Sequence, residues 1–191
     1  MHWNAAGQVD AYGGKFEALF MEPLIALVIY AAMRWIPRID PGRRNYELFA
    51  AAFGTLRIGL IATIGALYTV MLLTYHGCPI AIGVVVPMIV GVMMILVGNV
   101  LGKVRPNWFV GIRTPWTMSS KTAWDKTHRA GGWMFIIAGL ALMISGALPS
   151  PWNVYEALLI PLSLLIGVFA YSYWIWRSAS DKIPPAGTSP A

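Results

Sequence analysis

The sequence predicts an all-α, polytopic transmembrane helix bundle, and three observations carry that prediction. Hydrophobic residues make up 58% of the chain and charged residues only 12%, with a mean hydropathy of +0.63, far from the balance of a soluble domain. The apolar residues fall into five blocks, 18–36, 48–75, 79–101, 133–148 and 154–176. These approach or exceed the roughly 20 residues with which a helix crosses a bilayer. No block alternates apolar and polar residues as barrel strands do, and none has the polar face of an amphipathic surface helix.

The opening segment, residues 1–17, is polar and lacks both the charged start and the apolar stretch of a secretory leader. The first three blocks form a region spanning 18–101. Within it, Gly83, Gly91, Gly98 and Gly102 give block three a smooth face, with GxxxG spacing at 98–102 and a seven-residue step at 91–98. Pro87 and Pro161 predict kinks in blocks three and five. Block four is short and is expected to borrow a turn from residues 129–132, giving a final helical region 130–176. The Pro-rich end, residues 177–191, reads as a disordered tail.

Orientation follows from the cations, because cytoplasmic loops retain Lys and Arg. Arg34, Arg38, Arg43 and Arg44 lie between blocks one and two, Lys103, Arg105, Arg113, Lys121, Lys126 and Arg129 between blocks three and four, and Arg177 and Lys182 after block five. The opposite side carries only Lys15. Loops 37–47 and 102–129 and the C-terminus are therefore expected in the cytoplasm, with the N-terminus outside. An outward N-terminus without a leader predicts a further helix upstream, six in the full-length bundle; translocation of a short tail is the alternative.

Several functional classes lose support at this point. Cys78 is alone, and His2, His76 and His128 are spread over both sides, so neither a disulfide nor a metal site is expected, and no cofactor is implied. Nucleic acid is not an expected partner, because topology accounts for the positive charge. Arg57 is the one cation inside a block, about 13 Å past Leu48. It is expected to snorkel or to pair within the bundle, because the other helices offer no partner at that depth and a transport path would need several.

The segment between blocks three and four, 102–129, is too polar and aromatic for a simple connection. Pro106 and Asn107 suit a turn within a short ribbon, and Ser119 or Ser120 suits the N-cap of a helix running through Arg129. On that helix Trp124 and His128 share a face, and Lys121–Asp125 and Asp125–Arg129 are spaced as ion pairs. Gly131 and Gly132 allow a bend before block four, and Trp108, Trp116 and Trp124 are expected as interface anchors. The segment thus reads as a folded cap on the cytoplasmic mouth of the bundle.

The string N-x-x-G-K-x-R-x-N-x-x-x-G-I-R-T-P-W-T, followed by W-x-x-T-H-R-x-x-G, resembles the signature of the SdpI family of bacterial membrane proteins. It is carried by Asn99, Gly102, Lys103, Arg105, Asn107, Gly111, Ile112, Arg113, Thr114, Pro115, Trp116 and Thr117, then by Trp124, Thr127, His128, Arg129 and Gly132. At the start, His2, Asn4, Gly7, Asp10 and Lys15 resemble the extracytoplasmic piece of an uncharacterised domain that often precedes this signature, after a membrane helix. The resemblance implies a multi-pass protein of the bacterial inner membrane, without catalytic residues. It implies immunity to a secreted peptide toxin met at the outer face, signalling by drawing a cytoplasmic repressor to the membrane, or both.

The contrasting expectation is a membrane enzyme or lipid-handling protein. In that reading Arg105, Arg113 and Arg129 hold a phosphate, and His128 beside Asp125 moves a proton. Against it, the sequence offers no nucleophile with a partnered base and no paired catalytic carboxylates.

Overall fold

In a computed structural model of the chain, the described residues are 2–3, 9–11, 13–149 and 152–183. They form an all-α bundle of six helices, α1 (Lys15–Ile39), α2 (Ala50–Tyr75), α3 (Ile82–Leu101), the short α4 (Pro115–Met118), α5 (Lys121–Ser145) and α6 (Trp152–Arg177). A 3₁₀ segment, Arg43–Phe49, leads into α2. Outside the bundle, β1 (His2–Trp3) pairs antiparallel with β2 (Val9–Ala11). Five of the helical stretches are long and apolar enough to cross a membrane, which makes this a multi-pass membrane protein in a lipid bilayer.

The seam between α3 and α5 is the tightest part of the bundle, and glycine makes it possible. A Cβ on Gly98 would lie 2.5 Å from the Gly132 carbonyl oxygen, and one on Gly91 2.6 Å from that of Gly139. One step further, a Cβ on Gly146 would meet Val84 at 3.1 Å. The spacing is seven residues on both helices, so two antiparallel rows of small residues meet backbone to backbone. Gly91 and Gly98 thus act as expected, whereas Gly102 is exposed and its nearest neighbour across the seam is the Arg129 Cα at 3.7 Å.

Two expectations about the chain from the end of α3 through α5 need correction. The helix is not interrupted at Gly131 and Gly132 and runs unbroken from Lys121 to Ser145, so the helix expected through Arg129 and block four are one element. The low helix propensity of the pair is outweighed by packing, Gly132 against Gly98 and Gly131 against Ile112 and Leu101. At 1.5 Å per residue, α5 is about 38 Å long, more than the ~30 Å of a hydrocarbon core, so its polar first turns stand outside the apolar layer. The ribbon expected around Pro106–Asn107 is likewise absent; residues 103–114 contain no strand.

Burial is concentrated at one end. Tyr46, Phe49, Phe53, Leu56, Val100, Val104 and Trp124 belong to one apolar cluster where the 3₁₀ segment, the α3–α4 loop and the start of α5 converge. The rings of Tyr46, Phe49 and Phe53 pack with centroids 4.9 Å to 6.3 Å apart. The segments that carry nearly all the cations meet at this basic end. By contrast α1 buries no residue, and its long apolar surface faces outward.

Candidate functional site

The α3–α4 loop is fixed at both ends by two stacked rings on α5. Trp124 and His128, one turn apart, lie with centroids 4.0 Å apart, and each is 1% exposed. The Trp124 indole N–H donates to the Val104 carbonyl at 2.9 Å, holding the start of the loop. The Ile112 N–H donates to His128 Nε2 at 2.9 Å, holding its end. Because Nε2 accepts there, the imidazole carries its proton on Nδ1, which lies 2.9 Å from the Trp124 carbonyl and donates to it. Gly111 completes the contact. Its φ is +114°, and a Cβ there would collide with His128 Nε2, so only glycine fits.

Inside the loop, the buried Asn107 replaces the hydrogen bonds a regular element would make. Its Oδ1 accepts from the Phe109 N–H at 2.9 Å and the Val110 N–H at 2.6 Å, and its amide donates to the Arg105 and Val110 carbonyls at 2.8 Å and 2.9 Å. The loop is also stapled to the α1–α2 connection. Asp40, 1% exposed, accepts from the Gly42 N–H at 2.6 Å, the Tyr46 hydroxyl at 2.8 Å and the Trp108 N–H at 3.0 Å. Asn45 donates to the Pro106 carbonyl at 2.6 Å.

The loop closes on α4 and α6. Thr114 caps α4 by accepting from the Thr117 N–H at 3.2 Å, Pro115 occupies the first turn, and Thr117 donates to the Ile112 carbonyl at 2.7 Å. Thr114 also donates to Ser172 on α6 at 3.1 Å, while Trp116 packs against Phe169 and Tyr173 with centroids 4.6 Å and 5.1 Å away. Residues 178–183 are not the free chain expected. Asp181 accepts from the Ser120 hydroxyl at 2.6 Å and the Thr122 N–H at 2.8 Å, and the Ile183 N–H donates to the Ser119 carbonyl at 2.9 Å. The two bonds to Ser120 and Thr122 pull the Asp181 carboxyl down to about 2.

The signature residues therefore divide in two. Asn107, Thr114, Thr117, Trp124, Thr127 and His128 are buried and build the knot, Thr127 with a hydroxyl that makes no hydrogen bond. Asn99, Gly102, Lys103, Arg105, Gly111, Arg113, Pro115 and Arg129 are exposed, with Trp116 in between. Asn99, Lys103 and Arg129 line one cavity of about 270 Å³ with the α3–α5 glycines. Arg113, Thr114 and Pro115 rim a second, of about 600 Å³, whose walls are apolar residues such as Phe135, Leu164, Leu165 and Phe169 of α5 and α6. Arg113 also donates to the Trp108 carbonyl.

Several expected arrangements differ. Trp124 is a core residue rather than an interface anchor, since its indole N–H finds a backbone partner inside the cap; Trp108, at 57%, is exposed. Lys121 pairs with Asp125 at 2.5 Å, but no Asp125–Arg129 salt bridge is present among the described residues. Both nitrogens of His128 are taken by backbone groups, so Asp125 is not its partner. Arg57 lies apart from the signature loop, in a cleft between α1 and α2. Lys15 lines a cavity of about 250 Å³ with Gly13, Met71 and Tyr75 at the other end of the same two helices. Of the N-terminal motif, the backbones of His2 and Asp10 lie in β1 and β2, while Asn4 and Gly7 fall outside the described residues.

The sequence reading missed Asp40, Asn45, Tyr46, Ser172 and Asp181. Only Asp40 carried a local signal, the turn-forming string Asp40-Pro41-Gly42.

The model of the SdpI/YfhL protein family matches residues 103–173, which take in the loop, α4, α5 and most of α6. A domain of unknown function (DUF1648) matches residues 1–27, the paired strands and the first half of α1. No curated protein and no solved structure matches the chain. Asn99 and Gly102 lie just outside the matched segment, but every residue of the knotted loop from Lys103 onward is within it. Over residues 103–173, this chain is similar to the SdpI/YfhL protein family.

Proposed function

We propose that this protein is a non-enzymatic immunity or signalling protein of a bacterial inner membrane. Its outer face meets a secreted peptide toxin, and its basic end binds a cytoplasmic regulator. The division of the signature supports this reading. Its buried polar residues, Thr127 excepted, hydrogen-bond to loop backbone or to neighbouring side chains and hold a folded cap, while Lys103, Arg105, Arg113 and Arg129 are exposed on it. A set of exposed cations on a hydrogen-bonded scaffold suits recognition of an acidic protein surface. The gathering of nearly all cations at one end favours a cytoplasmic basic end, with the N-terminus outside.

A second reading rests on the apolar cavity rimmed by Arg113. Its volume and walls suit an acyl chain or another amphiphile with an anionic head, which favours lipid handling. Proton transfer by His128 has little support within that reading, because the ring is buried and both of its nitrogens are already bonded to backbone groups. A sensitive bacterium expressing this protein, challenged with a cannibalism-type peptide toxin, separates the two readings. Survival with a maintained membrane potential is expected for immunity. Collapse of the potential despite normal insertion would overturn immunity and favour the lipid reading.

A further inference from the structure

The cleft between α1 and α2 at the basic end holds more positive charge than the protein balances. Arg34 and Arg38, one turn apart on α1, and Arg57 on α2 line a cavity of about 300 Å³ together with Met33, Phe53 and Glu47. Three guanidinium groups against one carboxylate leave a net charge of +2 (three minus one), and none of the four groups forms a salt bridge among the described residues. Arg57 lies seven residues into α2, about 10 Å from its start, where its guanidinium sits over the Tyr30 ring at 5.7 Å. Arg38 likewise sits over Trp35 at 4.7 Å. These contacts orient the cations without neutralising them. Uncompensated cations at the edge of a low-dielectric layer are costly, so a counter-anion is called for.

We infer that this cleft binds a phosphate-bearing anion, held by Arg34, Arg38 and Arg57, and that the anion is the headgroup of an anionic phospholipid. Guanidinium groups match phosphate in shape as well as charge, each offering a fork of parallel N–H donors. Two features favour a lipid over free phosphate. The cleft opens between two membrane helices, one with no buried residue, and its lining includes the apolar Met33 and Phe53 on which an acyl chain can rest. Tyr46 lines the same cleft and donates to Asp40 in the loop knot, so site and knot share a wall.

Native mass spectrometry of the intact chain, released from neutral detergent and titrated with phosphatidylglycerol, phosphatidylcholine or inorganic phosphate, tests this. A single phosphatidylglycerol should be retained at least about tenfold more tightly than phosphatidylcholine. Arg34→Gln and Arg57→Gln should each weaken retention by about tenfold, while Lys126→Gln, which removes an exposed cation elsewhere at the same end, should leave it unchanged. Arg57→Lys, which keeps the charge but loses the fork, should weaken retention less than Arg57→Gln does, and unchanged helical circular dichroism of both variants guards against a folding defect. Equal loss in Lys126→Gln, or equal retention of phosphatidylcholine, would overturn the site. Displacement of phosphatidylglycerol by millimolar inorganic phosphate would keep the phosphate site and overturn its assignment to lipid.

Discussion

The two ends of this bundle solve the problem of polar groups in different ways. At the basic end, Asp40, Asn107, Thr114, Ser120 and His128 are buried, and each hydrogen-bonds to loop backbone or to a neighbouring side chain. At the other end, His76, Gly77 and Cys78 form a short exposed turn. The difference teaches that polarity near a membrane has two uses. Where polar side chains are buried they give an irregular loop one fixed shape, and where they are exposed they do little beyond closing a turn.

The sharpest way to break this comparison is to remove Asn107. Asn107→Ala deletes four short hydrogen bonds and strands buried backbone groups, and is expected to cost about 3 kcal/mol in detergent unfolding. Cys78→Ser at the opposite turn should stay within about 0.5 kcal/mol. Equal losses at the two ends would remove the distinction. Gly111→Ala comes next, at about 2 kcal/mol in the same assay, because the new Cβ meets both an unfavourable φ and the His128 ring. An unchanged midpoint would show that the His128–Ile112 tether is loose.

Smaller still is the effect of pH on the docked tail. The Asp181 carboxyl is lowered from 3.8 to about 2 when docked. Docking is therefore at full strength above the ordinary value and weakens as pH falls through the window between the two. The Thr122 amide resonance should shift across that window, and Asp181→Asn should raise its hydrogen exchange at neutral pH. A Thr122 amide indifferent to both would mean that the tail is held by other contacts.

Much of the fold was legible because its cause is local. Block length and hydrophobicity specify five spans whatever their partners, and a four-residue spacing puts Trp124 and His128 on one face. What escaped the reading depends on contacts distant in sequence. Gly131 and Gly132 look like a bend until Gly98 is known to press on Gly132, and Ile112 and Leu101 on Gly131. Trp124 has the amphipathic ring of an interface anchor, and only the Val104 carbonyl, 20 residues away, decides otherwise. Asp40 and Trp108 are 68 residues apart, so no local pattern announces their bond. The signature string marked the loop, but it did not separate the loop's buried residues from its exposed ones; burial does.

That separation is tested most directly by Arg113→Ala, which removes an exposed cation of the signature and leaves the buried knot in place. Survival under toxin challenge would be compared with wild type at equal membrane levels, with detergent unfolding of both proteins alongside. The expected result is loss of protection together with a stability change within about 1 kcal/mol, the size of one exposed hydrogen bond. Full protection by Arg113→Ala beside a protective wild type would contradict the account, and would return the displayed cations to the role of membrane anchors.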